Sequence, residues 1–173
     1  MAANLGARLG FEDMDNRETA RAESEPTAMA LPDPEIALKL ARGVSRFLEN
    51  LGYGTVTEFS LATGRRADVF GVNERGETVI VEVKSSPVDF LTDSKWPEYR
   101  EFCDYFYFAV AVDFPRELLP AEAGLIVADA YNAEILRPSD LIALNASRRK
   151  ALLLRFALTA SLRLRRLLDP DLE

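Results

Sequence analysis

Asp68, Glu82 and Lys84 carry the most direct chemistry that this sequence offers. Residues 66–72 and 78–84 both read as strands, and Asn73-Glu74-Arg75-Gly76 between them reads as a hairpin turn. A four- or five-residue turn puts Asp68 opposite Glu82 or one residue away from it. Directly opposed residues have Cβ atoms ~5 Å apart. Val79, Val81 and Val83 then face one way, and Glu82 and Lys84 share the other face. Two carboxylates side by side repel unless a cation lies between them. A magnesium or manganese ion would neutralise them, polarise a phosphodiester and acidify an attacking water. The lysine would position that water or stabilise charge on the phosphate oxygens. The simpler alternative is structural, since Glu-x-Lys on a strand is also a common solvated ion pair.

The rest of the composition narrows the chemistry. The 173 residues include no histidine and one cysteine, Cys103. This removes the Ser–His triad, histidine acid–base catalysis and an internal disulfide, and it argues against zinc. A metal would be held by oxygen, which points to Mg2+ or Mn2+. No apolar run approaches the ~20 residues needed to cross a bilayer, and the N-terminus lacks the apolar stretch of a secretory signal. The expectation is therefore a cytoplasmic protein with no membrane partner.

The elements that must position the three residues are legible in outline. Residues 1–32 lack a sustained apolar period and read as a disordered acidic tail, leaving 33–173 as one domain. Asp33-Pro34-Glu35 is a helix start. Ile36, Leu40, Val44, Phe47 and Leu48 continue that helix through Asn50. A strand is expected over 55–61, then the hairpin, then one or two short helices within 87–103, begun by Ser86-Pro87 and Trp96-Pro97. Residues 105–112 (YFYFAVAV) are apolar without a break, as in a strand buried on both faces. Shorter strands are expected at 125–128 and 133–136. A last helix spans about 146–168, with Leu153, Phe156, Ala157 and Ala160 inward. The whole is an α/β fold with a mixed sheet flanked by helices.

The net charge of −7 argues against simple nonspecific nucleic-acid binding. Much of that excess lies early, with eight acidic and three basic side chains in residues 1–35. From Leu141 to Leu168 there are seven basic residues and no acidic one. Arg148, Arg149, Lys150, Arg155, Arg163, Arg165 and Arg166 are thus either a backbone-binding surface or a solvated helix face.

Asp68 on one strand and Glu82-x-Lys84 on the next resemble the signature of the PD-(D/E)XK nuclease superfamily. The helix–three strands–helix–strand order is similar to its restriction-endonuclease-like core. Longer stretches, GRRADVFGV, VIVEVKSS, DFLTDSKWPEY, CDYFYFAVAVDFP and GLIVADAYNAEILRP, resemble the MmcB-type DNA-repair endonucleases of bacteria. The resemblance covers about residues 35–165. It implies that Asp68 and Glu82 bind metal and that Lys84 is the catalytic lysine. Ala67 stands where the superfamily's name-giving proline would be. The resemblance also implies a further acidic ligand, for which Glu35 is the candidate by position and Glu58 its rival.

Other residues are secondary candidates. Arg65 and Arg66 would either hold a phosphate or pair with acids. Asp89, Asp93, Lys95 and Tyr99 would form a network around the metal, with Lys95 or Tyr99 touching a phosphate. Helix caps and helix–sheet packing are the alternative for this group. The leading expectation is a metal-dependent DNA endonuclease in bacterial DNA repair. Its competitors are a nuclease-fold DNA-binding module that cuts little or not at all, and an adaptor engaging a repair-protein partner through the acidic tail. The sequence specifies no oligomeric state.

Overall fold

In a computed structural model, residues 31–170 are described; the expected tail lies almost wholly outside them. Helix α1 (Pro34–Asn50) begins where Asp33 accepts the amide hydrogens of Glu35 (2.8 Å) and Ile36 (3.4 Å), with Pro34 in the first turn. Its buried stripe is Leu40, Gly43, Val44 and Leu48. Gly43 is required there. A Cβ at this position would lie 2.0 Å from the Asp129 carbonyl oxygen, so only glycine lets α1 rest on that turn.

Six strands follow: β1 (Tyr53–Ser60), β2 (Arg66–Asn73), β3 (Thr78–Lys84), β4 (Tyr105–Val110), β5 (Gly124–Ala128) and β6 (Ala133–Arg137). They form one sheet in chain order. The β1–β2, β2–β3 and β5–β6 pairs are antiparallel, while β3–β4 and β4–β5 are parallel. The β2–β3 turn is held by Asn73, whose side-chain oxygen accepts from the amides of Arg75 and Glu77, both at 3.0 Å. Gly76 supplies the positive φ of 72°. All seven residues of β3 are buried, and β4 sits between β3 and β5, as its unbroken apolar run requires. That strand ends two residues earlier than expected, at Val110.

Helix α1 covers one face, packing on Val69, Val79, Val81, Val83, Ala109 and Ile126. The other face is covered by short helix α2 (Pro87–Thr92), a 3-10 helix (Trp96–Phe102) and α3 (Ala146–Leu168). The inward register of α3 differs from expectation. Leu152 is its buried residue, Phe156 and Ala160 pack against the core, and Ala157 is exposed. The helix docks through Arg149, which reaches Asp104 and the Gly76 carbonyl, as well as through apolar residues. No helix among the described residues is long and apolar enough to cross a membrane.

Candidate active site

The β2–β3 ladder pairs Val69 with Val81 and Phe70 with Ile80, which carries Asp68 to the position facing Glu82. No backbone pairing extends the ladder to that position. Side chains bridge the opening instead. Asp68 Oδ2 accepts the amide hydrogen of Val83 at 2.7 Å, and the Asp68 amide donates to Glu82 Oε1 at 3.3 Å. Each carboxylate keeps its second oxygen without a protein partner among the described residues.

The opening coincides with a break in strand alternation. Val56 and Phe59, three residues apart, belong to the same core cluster, and so do Ala67 and Phe70. A regular strand would turn them to opposite faces. The odd residues in the middle are Glu58, with φ of 50°, and Asp68.

Glu82 is 4% exposed and Asp68 is half-buried. Burial pushes both carboxyl groups above the usual carboxylate range. For Glu82 the next cause is the Asp68 charge beside it, whereas the Val83 amide and the Lys84 charge pull Asp68 back down. Lys84, also 4% exposed, turns towards α2: its Nζ lies 2.6 Å from Asp93 Oδ2 and 4.0 Å from Asp89 Oδ1. Burial opposes ionisation of Asp93, but the pairing with Lys84 outweighs it and lowers the pKa.

Local capping delivers these acids. Ser86 caps α2 by accepting the Asp89 amide hydrogen at 3.2 Å. The Asp89 carboxylate accepts from the Ser85 amide (3.2 Å) and hydroxyl (3.3 Å), and Ser85 Oγ in turn accepts from the Asp33 amide (3.1 Å). The start of α1 is thereby tied to the end of β3. Ser85 and Ser86 are not among the expected site residues. Their signal is present in the order Ser-Pro-x-Asp, an N-cap with an acid three residues on.

The structure thus gathers Asp68, Glu82, Lys84, Asp89 and Asp93. It does not bring in Glu35, which is exposed and paired with Lys39 at 2.7 Å on the α1 surface. Arg65 makes a two-pronged contact with Glu98, at 3.0 and 2.9 Å. Arg66 pairs with Glu58. Tyr99 is buried, and its hydroxyl donates to the Arg66 carbonyl at 3.1 Å. Burial and the nearby Glu82 and Asp68 charges raise its pKa. Lys95 is exposed and precedes the 3-10 helix, so the four-residue spacing to Tyr99 does not place both on one helical face.

The basic run on α3 is largely committed to the protein itself. Arg149 makes a two-pronged pair with Asp104 at 2.7 Å and also reaches the Gly76 carbonyl. Arg155 donates to the Ser60 carbonyl, and Arg163 to those of Thr57 and Glu58. Arg148 reaches the Glu101 carbonyl and lies over the Phe102 ring. Arg165 pairs with Asp169. Arg155 and Arg163 occupy carbonyls of edge strand β1, and Arg148, Arg149 and Arg165 hold acids or the 3-10 helix, so five of the seven cations serve the fold, while Lys150 and Arg166 make no such contact among the described residues.

This is therefore an α/β protein whose mixed sheet presents two adjoining carboxylates and a lysine where the parallel strand β3 ends. Within it, the chain belongs to the MmcB-like DNA repair protein family, whose family model matches residues 24–171. It is also similar to the solved structure of a protein of unknown function from Silicibacter pomeroyi. The two share 48% sequence identity with a TM-score of 0.76, over 78% of this chain and 92% of that one. No curated protein matches the chain.

Proposed function

We propose that this protein is a metal-dependent nuclease of the PD-(D/E)XK type that hydrolyses DNA during repair. The observation that carries the reading is the cross-bonded pair Asp68 and Glu82, two crowded, poorly solvated carboxylates with Lys84 two residues along. Crowded carboxylates raise each other's pKa and destabilise a fold, and a hard divalent cation relieves both costs. The donor set fits Mg2+ or Mn2+, because it is all oxygen and each carboxylate has an oxygen free of partners among the described residues. A bound ion would supply Lewis acidity and an acidified water. Val83 and Asp68 hold the two carboxylates in register through their amides. Lys84 brings a positive charge beside them, where charge grows on a phosphate in hydrolysis. Membership of the MmcB-like DNA repair protein family supports DNA repair as the setting.

The test uses purified protein with plasmid, single-stranded and branched DNA in the presence of Mn2+. The parent is expected to cut, and Asp68→Ala and Lys84→Ala to lose at least ~100-fold in rate. Variants that cut as well as the parent would show that the chemistry lies elsewhere. One observation favours a second reading, a DNA-binding module with little cutting: the Lys84 ammonium is already engaged by Asp93. Salt-sensitive binding without cleavage on any substrate would decide for that module.

A further inference from the structure

Among the described residues, Glu58 is the non-glycine residue with a left-handed backbone, at φ 50°. That conformation is unfavourable for any residue with a Cβ and persists only where its surroundings hold it. Here they do. Arg163 of α3 grips the carbonyls of Thr57 (2.6 Å) and Glu58 (3.1 Å), and Phe59 is fully buried against Phe70 with ring centroids 4.3 Å apart. The kink alone could serve to turn Phe59 inward, but glycine would do that without strain. A glutamate at this position therefore calls for a second reason.

Its location supplies one. Thr57 pairs with Val69 and Phe59 with Ala67, so Glu58 faces Asp68 across β1–β2 just as Asp68 faces Glu82 across β2–β3. Three carboxylate-bearing positions on adjacent strands form one row. No three such groups among the described residues stand close enough to hold an ion as they are. The Glu58 carboxylate is instead drawn off by Arg66, two residues before Asp68. That ion pair is exposed on both sides, 66% and 50%. Exposed pairs of this kind are weak, and a phosphate competes well for an arginine.

We propose that Glu58 is a latched third carboxylate of the Asp68–Glu82 centre and that Arg66 is its latch. A DNA phosphate that takes Arg66 releases Glu58 towards the cation position. DNA and cation then strengthen each other's binding, reciprocally as linkage requires. This rests on the reading of Asp68 and Glu82 as cation-binding residues.

The test measures Mn2+ affinity of the full chain by electron paramagnetic resonance, with and without a phosphorothioate duplex and with a protein-free duplex as blank. The parent is expected to bind Mn2+ about 10-fold more tightly when the duplex is present. Arg66→Ala should bind Mn2+ without DNA nearly as tightly as the DNA-bound parent, and gain little from the duplex. Glu58→Gln should stay at the weak, DNA-free level in both conditions. Glu58→Gly should lose the same affinity while its metal-free melting temperature rises by about 3 °C, because strain is relieved. Mn2+ binding that needs Asp68 but is indifferent to Glu58→Gln would overturn the latch and leave the metal centre standing. Absence of Asp68-dependent Mn2+ binding in the parent would overturn both.

Discussion

Asp68 and Glu82 are held together by hydrogen bonds that each makes to the other's strand, so their crowding is built into the backbone. A protein under selection for stability alone would place an amide at residue 82. A glutamine side chain there could still accept the Asp68 amide hydrogen and could donate to the Asp68 carboxylate, without a second carboxylate crowded against it. Glu82→Gln is accordingly expected to raise the melting temperature of the metal-free protein by roughly 2–6 °C. The same variant should lose Asp68-dependent Mn2+ binding. Calorimetry with and without the ion checks both halves, and a variant less stable than the parent would contradict the argument from crowding. The meeting of Asp68 and Glu82 is legible in the sequence because strand alternation and a short turn force the two together. Glu35 is not, for a physical reason: its ordinal place in the chain says nothing about which side of α1 faces the sheet. The Ser85–Asp89–Lys84–Asp93 contacts depend on how α2 folds back over β3, which no local spacing specifies.

Elements in this fold are joined by a few polar clamps as much as by the apolar faces. Asp104 is the principal one. It accepts from the Thr78 amide (2.7 Å) and hydroxyl (2.9 Å), the Leu144 amide (3.1 Å) and the Arg149 guanidinium, so it ties β3, the 144 loop and α3 together. Burial works against its ionisation, but these bonds outweigh it and hold the carboxyl at about 2, below the ordinary 3.8. A depressed folded-state pKa contributes stability that is fully present above the ordinary value. That contribution is lost as pH falls from about 4 through about 2. Asp104→Asn should cost roughly 2 kcal/mol at neutral pH and flatten the loss of stability over that acid window. Urea midpoints at pH 7 and in the acid window measure both, and equal midpoints at pH 7 would contradict it. Gly43→Ala tests a different joint. A methyl group 2.0 Å from the Asp129 carbonyl must push α1 off the β5–β6 turn, at an expected cost of about 2–3 kcal/mol.

For the molecule as a whole, the charge balance runs against strong nonspecific DNA binding. The chain carries a net charge of −7, and its cation-rich helix spends most of its arginines on carbonyls of β1, on Asp104 and on the 3-10 helix. Arg65, Arg66 and Lys95 around the site remain for phosphates, the first two after exchanging their acidic partners. Duplex affinity should therefore depend weakly on salt, with a slope of log affinity against log salt no steeper than about −3. Arg155→Ala with Arg163→Ala should lower stability but leave that slope unchanged. A steep slope abolished by the double substitution would restore α3 as the DNA-binding surface.

The order of secondary elements, the inward valines of β3, the buried character of β4 and the meeting of Asp68 with Glu82 are consequences of local pattern and of a short connection between β2 and β3. Such features follow from the chain's local pattern, because alternation has a period of two and a short turn permits few registers. Other features involve residues far apart in the chain or the way one element folds over another. The commitment of the α3 arginines to β1 and Asp104, the engagement of Lys84 by Asp93 and the strained Glu58 beside Arg66 depend on which faces meet. Those follow from long-range packing and not from local pattern, since an arginine or a glutamate has the same side chain in solvent as in a clamp. The partner that packing brings within reach settles its role.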